Sequence, residues 1–390
     1  MPASGPAPAT TGPATTGPAT TGPATTAAER DDLRAVVRAF VRDRSPLGEV
    51  RRVPATEAGY DPGLWATLGG QLGLAGLLVP AGYGGAGCGL AEAGVVLQEL
   101  GRGLVSVPYL SSAVLAVTAL LASGDQAAQA ELLPGLATGD LIGAVAVSGP
   151  GGRADGSPDS LGVTASHSPG GTTLDGEALY VVDGHVAGVL LVAARDEGGT
   201  GLYRVAADAP GLSRTVMPVL DTTRYLARLG LRGVAAHPLG PAGSGAAALA
   251  RVLDTAVVAL AAEAVGGAEQ ALDLAVSHAK QRVQFGRPIG SFQAVKHKCA
   301  DMLVALEGAR VALDGALLAS DDSGIAALVA GLQCSAAYTH ITAEAIQVLG
   351  GIGFTWEHPA HRYFRRARTS AVLFGTEAQH RATLAGRLGL

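Results

Sequence analysis

The hydrophobic period of this chain changes twice, near Asp140 and again near Gly245, and those changes constrain its fold more than any other feature. Before Asp140 the pattern is helical. Asp31–Asp43 carries Leu33, Val36, Val37, Phe40 and Val41 at 3/4 spacing, which makes one apolar stripe. Another stripe begins at Leu64-Trp-Ala-Thr-Leu68, and Ala91–Gly101 resumes the helix after the glycine-rich turn Val79–Gly87. That turn lacks the Gly-Lys-Ser/Thr of a phosphate loop and reads as structural. Between Asp140 and Gly245 the apolar runs are short: Leu141–Val147, Gly176–Val182, Val189–Ala194, Gly201–Val205 and Leu212–Pro218. Gly, Pro and Asp clusters divide them, as between strands of an antiparallel sheet. From Gly245 long helical periods return, over about 246–281, 292–319, 322–349 and 376–388. The expected class is α+β: an N-terminal helical domain (27–139), a small middle antiparallel β domain (140–244) and a C-terminal four-helix bundle (245–390).

Residues 1–26 contain only Met, Pro, Ala, Ser, Gly and Thr, and Ala-Thr-Thr-Gly-Pro repeats three times from Ala9. With no large apolar side chain after Met1, burial cannot offset the entropy of ordering them, so a disordered tail is expected. The basic start and apolar centre of a signal peptide are missing. The balance of 28 basic and 33 acidic residues gives −5 with no basic run, which argues against nucleic acid and polybasic membrane anchoring. Three widely spaced cysteines, Cys88, Cys299 and Cys334, form no disulfide framework or zinc motif, and a cytoplasmic location is the simplest expectation. No metal-ligand spacing occurs among the nine histidines. Gly103–Gly124 is free of charge for 22 residues, but Pro108, Ser111 and Ser112 interrupt it. It reads as a buried core helix rather than a membrane span.

Two dense segments follow in the last third: Lys280-Gln-Arg-Val-Gln-Phe-Gly-Arg-Pro-Ile-Gly-Ser-Phe-Gln293 and Gln347-Val-Leu-Gly-Gly-Ile-Gly-Phe-Thr-Trp-Glu-His-Pro359. Together they resemble the flavin-binding half of the acyl-CoA dehydrogenase family. Leu72–Gly87, Gln98–Arg102, Leu132–Gly139, Asp175–Arg195 and Pro218–Leu231 extend the resemblance over nearly everything from Ala27 to Leu390. It implies FAD as cofactor, an acyl-CoA substrate, and a homo- or hetero-oligomer with another family member. An electron-transfer flavoprotein stands among the partners it admits. In the family, residues matching Arg282, Gln284 and Phe285 reach across a subunit interface to the neighbour's FAD. A guanidinium suits that task through paired, charge-assisted bonds to phosphate. Gln347, Gly350 and Gly351 form a second expected contact patch, since glycines permit close approach and an amide can bond a flavin or adenosine edge. Ser148 and Thr376 complete the expected flavin contacts.

The family's reaction removes the α hydrogen of an acyl thioester as a proton, which a carboxylate must accept, while the β hydrogen passes to FAD. The matching position for that carboxylate is Phe374, and the alternative used by a smaller group of members is Ala256. Neither holds an acid. Asp254, Glu357 and Glu377 are the candidates to take the base's place; Asp254 is two residues from the alternative position, a turn of about 200° on a helix. The family's T-E-P turn appears as Ser148-Gly-Pro150 and its W-I-T/S strand as Tyr180-Val-Val182, losing an acid and a hydroxyl. The readings that follow are an acyl-CoA dehydrogenase working with a base-bearing partner, a non-catalytic subunit donating flavin contacts in a mixed oligomer, or a flavin oxidase or monooxygenase on the same fold.

Overall fold

The computed structural model describes residues 25–45, 58–152, 154, 156–319 and 324–390. The expected tail lies outside the described residues, apart from Thr25 and Thr26. Helix α1 (Ala27–Arg44) begins at a capping box in which Thr26 and Glu29 satisfy each other's backbone N–H groups, and it buries Val37 and Val41. Asp61 caps α2 (Pro62–Ala66) by accepting the Leu64 N–H at 2.9 Å. Helix α3 (Leu90–Gly103) follows. The charge-free segment becomes a wide helical stretch, Tyr109–Ala116, continuing as α4 (Val117–Ser123), and Tyr109–Val117 is buried throughout. Helix α5 (Gln126–Thr138) ends at Gly139, whose φ of +81° sets the turn into the β region.

The middle region holds β1 (Gly143–Ala146), β2 (Val163–Ser168), β3 (Gly171–Val182), β4 (Val189–Asp196), β5 (Gly199–Ala206), β6 (Leu212–Val216) and β7 (Leu226–Pro238). Pairings β4–β5, β5–β7, β7–β3, β3–β2 and β2–β4 close a ring around Leu190, Val192, Val205, Leu229 and Val234. The sheet is mainly antiparallel, but β1 runs parallel to β4 in register Gly143↔Val189, as does the short β2–β4 contact. Strand β2 escapes sequence reading because only Val163 and Ala165 are buried; its remaining residues are exposed and polar or β-branched.

The C-terminal region begins with α6 (Gly245–Gln281), then a hairpin of β8 (Val283–Gln284) and β9 (Arg287–Pro288). Helices α7 (Gln293–Leu317), α8 (Ile325–Leu349), α9 (Ala360–Ser370) and α10 (Glu377–Leu388) complete it. Helix α9 is additional to the four expected. Its buried face includes Tyr363, Arg366 and Ala367, and a buried arginine hides the apolar period. Helix α6 and the segment Ile325–Phe354 are long and apolar enough to cross a membrane, yet 72% and 44% of their apolar windows are buried inside the fold. Helix α6 packs directly on α3. A Cβ on Gly266 would stand 1.8 Å from the Gln98 carbonyl oxygen, and one on Gly101 would stand 2.3 Å from that of Glu263. The two glycines permit backbone contact between the helices.

Candidate functional site

Helices α6, α7 and α8 pack on one another in alternating direction, so α6 and α8 end at the same end of the bundle. His358, just beyond α8, is held below the ordinary imidazole pKa first by burial and then by the nearby charge of His278 on α6. The residues expected to touch a flavin from outside the subunit gather here: Arg282, Gln284 and Phe285 after α6, and Gln347, Gly350 and Gly351 after α8. All are exposed. Arg282 ends α6 and has no carboxylate partner among the described residues. Phe285 is 91% exposed with φ +53°, a left-handed backbone that an aromatic residue adopts only at a cost. Its ring meets Phe292 edge-on at 6.1 Å, and the Arg287 guanidinium lies 4.0 Å above Phe292. Gly350 needs its hydrogen for φ +65°, whereas a Cβ on Gly351 would find nothing within 4 Å. Nothing among the described residues demands glycine at 351.

The other expected residues lie elsewhere. At 1.5 Å per residue, Ala256 and Arg282 stand roughly 40 Å apart along α6. Ser148 is buried, and its carbonyl accepts the Leu179 N–H at 2.9 Å. Phe374 is buried at 6% exposure with φ +60° and packs into the main apolar core. Thr376 caps α10: its hydroxyl accepts the Gln379 N–H and donates to Gln379 Oε1 at 3.0 Å. Asp254 is committed to Arg387 of α10 at 2.9 Å. Glu377 pairs with Arg381 at 2.7 Å on the surface, and Glu357 is exposed at the outward end. None of these three acids lines the cleft beside Val182.

That cleft holds a charged cluster instead. It lies between the 105–110 segment, the end of β3, the β6–β7 connection, α6 and α9. Arg366 on α9 donates to Asp221 Oδ2 at 2.6 Å and to the Thr223 carbonyl at 2.8 Å, and it approaches Glu263 of α6 at 3.4 Å. Arg224 also pairs with Glu263. Burial opposes the Arg366 charge, but Asp221 and then Glu263 hold its pKa above the ordinary guanidinium value. Asp183 accepts the Ser111 hydroxyl at 2.6 Å; burial pushes its carboxyl up to about 6 against that hydrogen bond and the nearby arginines. Sequence reading missed this cluster, although a lone acid at Glu263, seven residues and two turns beyond Ala256 on an Ala/Val stripe, was its visible signal.

The cleft retains a cavity of about 20 Å³, room for little more than one water. The turn after Ser148 is folded shut as well. Ala154 and Leu161 are buried with Leu249 and Leu253 of α6, and a Cβ on Gly162 would lie 2.2 Å from the Glu177 carbonyl oxygen. The three fused rings of a flavin do not fit on this side. The outward end offers a free guanidinium, two amides and an open glycine, which suits contact with the anionic and hydrogen-bonding parts of such a group.

The family model described as "Acyl-CoA dehydrogenase, C-terminal domain" matches residues 243–389, and "Acyl-CoA dehydrogenase, N-terminal domain" matches 27–140. This chain belongs to the acyl-CoA dehydrogenase family. It is 40% identical to the acyl-CoA dehydrogenase IpdE2 of Mycobacterium tuberculosis over 88% of this chain and 92% of that one. Among solved structures it resembles a variant of the Tcur3481-Tcur3483 steroid ACAD, with TM-score 0.84, 34% identity, and coverage of 93% and 98%. It also resembles the ChsE4-ChsE5 complex from Mycobacterium tuberculosis, with TM-score 0.85, 29% identity, and coverage of 94% and 98%. As an acyl-CoA dehydrogenase family member it carries the helical, β and helical regions expected of that fold. The family is one of flavoproteins, which makes the shut cleft the feature to be explained.

Proposed function

We propose that this chain is the contact-donating subunit of a mixed acyl-CoA dehydrogenase. In that assembly a second family member holds FAD and acyl-CoA and supplies the carboxylate base, and the reaction is α,β-dehydrogenation of the thioester. The observation that carries this reading is the pairing of a closed home cleft, with Phe374 in the core, and an open outward end around Arg282. Arg282 would bind phosphate oxygens of the partner's FAD. Gln284 and Gln347 would offer amide hydrogen bonds, and Gly350 and Gly351 would let the backbone approach. FAD supplies the hydride acceptor; this chain's part is to hold and orient it. Two similar solved structures are themselves named as pairs of chains, which agrees with a two-member assembly. The name of one includes "steroid", and a ring-bearing acyl group on the partner is the substrate class we favour.

The test is flavin content. Purified alone, the chain should show no absorbance near the flavin band and should not reduce a dye with acyl-CoA. Co-expressed with a Glu-bearing family member, the pair should carry one FAD per two chains, and Arg282→Ala should strip flavin from it. A yellow, active preparation of this chain by itself would sink the reading.

A further inference from the structure

The outer face of the β region carries a groove of about 260 Å³ across β3, β7 and β6. Its floor is Gly230 of β7, and the strand registers set what surrounds it. Ser213 of β6 stands beside Gly230 on one side, and Glu177 of β3 on the other. Along β7 itself, Arg228 and Arg232 lie two residues to either side and face outward, because Leu229 and Leu231 between them point into the core. At about 3.3 Å per residue the two arginines start roughly 13 Å apart, each about 7 Å from the glycine. The register of β7 on β3 slips between Leu174 and Gly176. The slip lies beside Gly233, whose φ is +58° and whose N–H donates to Asp175 Oδ1 at 2.8 Å. Such a bulge sets the aim of the side chain next to it, here Arg232.

The lining is charge, hydroxyl and glycine backbone. Leu231 is its one apolar member, and that side chain is buried, so the groove has no apolar wall for an aliphatic or aromatic body. Arg228 gives its Nε to Glu177, which leaves both terminal nitrogens of its fork for a ligand. The same pair engages the one carboxylate of the lining. The Arg232 guanidinium and the Thr215 hydroxyl have no hydrogen bond or ion pair among the described residues. Ser213 donates its hydroxyl to the Gly230 carbonyl at 3.3 Å. Two arginines against one paired acid leave the groove cationic, which suits an anion. Two separated forks suit an anion with two charged centres. The volume, below the roughly 300 Å³ where sites for larger ligands begin, limits it to a compact one.

We propose that this groove binds a diphosphate group, one phosphoryl on the terminal nitrogens of Arg228 and the other on Arg232, with the Thr215 hydroxyl as a further donor. Gly230 lets the group rest on the backbone where a side chain would otherwise stand. Free pyrophosphate and the diphosphate end of a nucleoside diphosphate present this same chemistry. The groove shares no residue with the charged cleft or with the outward end around Arg282, so the assignment is independent of whether the chain donates flavin contacts.

Calorimetric titration of the full chain, in the assembly in which it purifies and at fixed ionic strength, tests this with pyrophosphate, ADP, adenosine and sulfate. Pyrophosphate should bind saturably at one site per chain with a Kd below about 1 mM, and adenosine should not bind. ADP binding as well as pyrophosphate would extend the site to nucleoside diphosphates, and pyrophosphate alone would restrict it to the free ion; both results support the assignment. Arg232→Gln should weaken pyrophosphate about tenfold, the worth of a charge-assisted hydrogen bond. Gly230→Val should abolish binding by filling the floor while the far-UV spectrum and Tm hold. The nearest atom to the added Cβ is the Ser213 Oγ at 2.6 Å, and that hydroxyl can rotate away. Should that variant misfold, Arg232→Gln on the exposed face still decides. The proposal is overturned if pyrophosphate gives no saturable heat below about 1 mM, if sulfate or adenosine binds equally well, or if neither substitution alters binding. Flavin content of the purified assembly should be the same in both variants; its loss would make the groove part of the cofactor site and overturn the assignment.

Discussion

Where the family resemblance expects a carboxylate, this chain carries Phe374, buried at 6% exposure in the main apolar core with a φ of +60°. The substitution could be seen in the sequence, because the flanking Gly375 and Thr376 fix the position. The charged cluster beside Val182 could not, since Asp221, Glu263 and Arg366 come from three separate elements and meet only in the fold. Asp183 gives this cluster a pH signature. Its carboxyl is raised to about 6 in the folded state, against an unfolded value of about 3.9. Both states are protonated below pH 4, so the group is neutral to stability there. Between about pH 4 and 6 the unfolded chain sheds its proton first, and the folded state loses stability as pH rises. Above pH 6 the penalty is constant. Asp183→Asn keeps an acceptor for Ser111 and removes the titration. It should therefore be more stable than the parent by on the order of 2 kcal/mol above pH 6, with the difference vanishing toward pH 4. Urea midpoints across that range measure it, and a pH-independent difference would rule out Asp183 as the titrating group.

Among the elements, the long periods of α6, α7 and α8 were readable because apolar residues recur with few interruptions. Helix α9 was not, because its buried positions include Arg362 and Arg366, which tertiary partners make tolerable inside. Strand β2 was hidden for the opposite reason: it is a real strand with little to bury. The α3–α6 crossing depends on something no hydrophobic pattern carries, the absence of a side chain at Gly101 and Gly266. Gly266→Ala places a methyl in the Gln98 backbone, and the helices can relieve it only by separating. The expected cost is about 3 kcal/mol, read as a fall in the denaturation midpoint with an unchanged slope. Gly351→Ala, where nothing lies within 4 Å, should leave the isolated chain's stability within about 0.5 kcal/mol of the parent and serves as the control.

For the molecule as a whole, composition and period indicated three regions, and the motif resemblance indicated the family. The two halves of a flavin site were both recognised as sequence, but their separation was not, because a residue list carries no distance. Helix α6 supplies that distance. It runs without a break from Glu263 at the shut cleft to Arg282 at the outward end, and so it also fixes an angle between them. Each residue of an α-helix turns the chain by about 100°. One extra alanine inserted between Ala279 and Lys280, beyond the last buried residue of α6, would leave the cleft and the α3 crossing in place while swinging the outward hairpin by about a third of a turn. An insertion of seven would return it to within about 20° and displace it by roughly 10 Å. In the mixed assembly, the single insertion should abolish flavin retention, whereas the isolated chain should keep its helical content by circular dichroism. In the proposed assembly the helix acts as a keyed shaft: the partner it fits would depend on the phase of its turns as much as on the residues at its end.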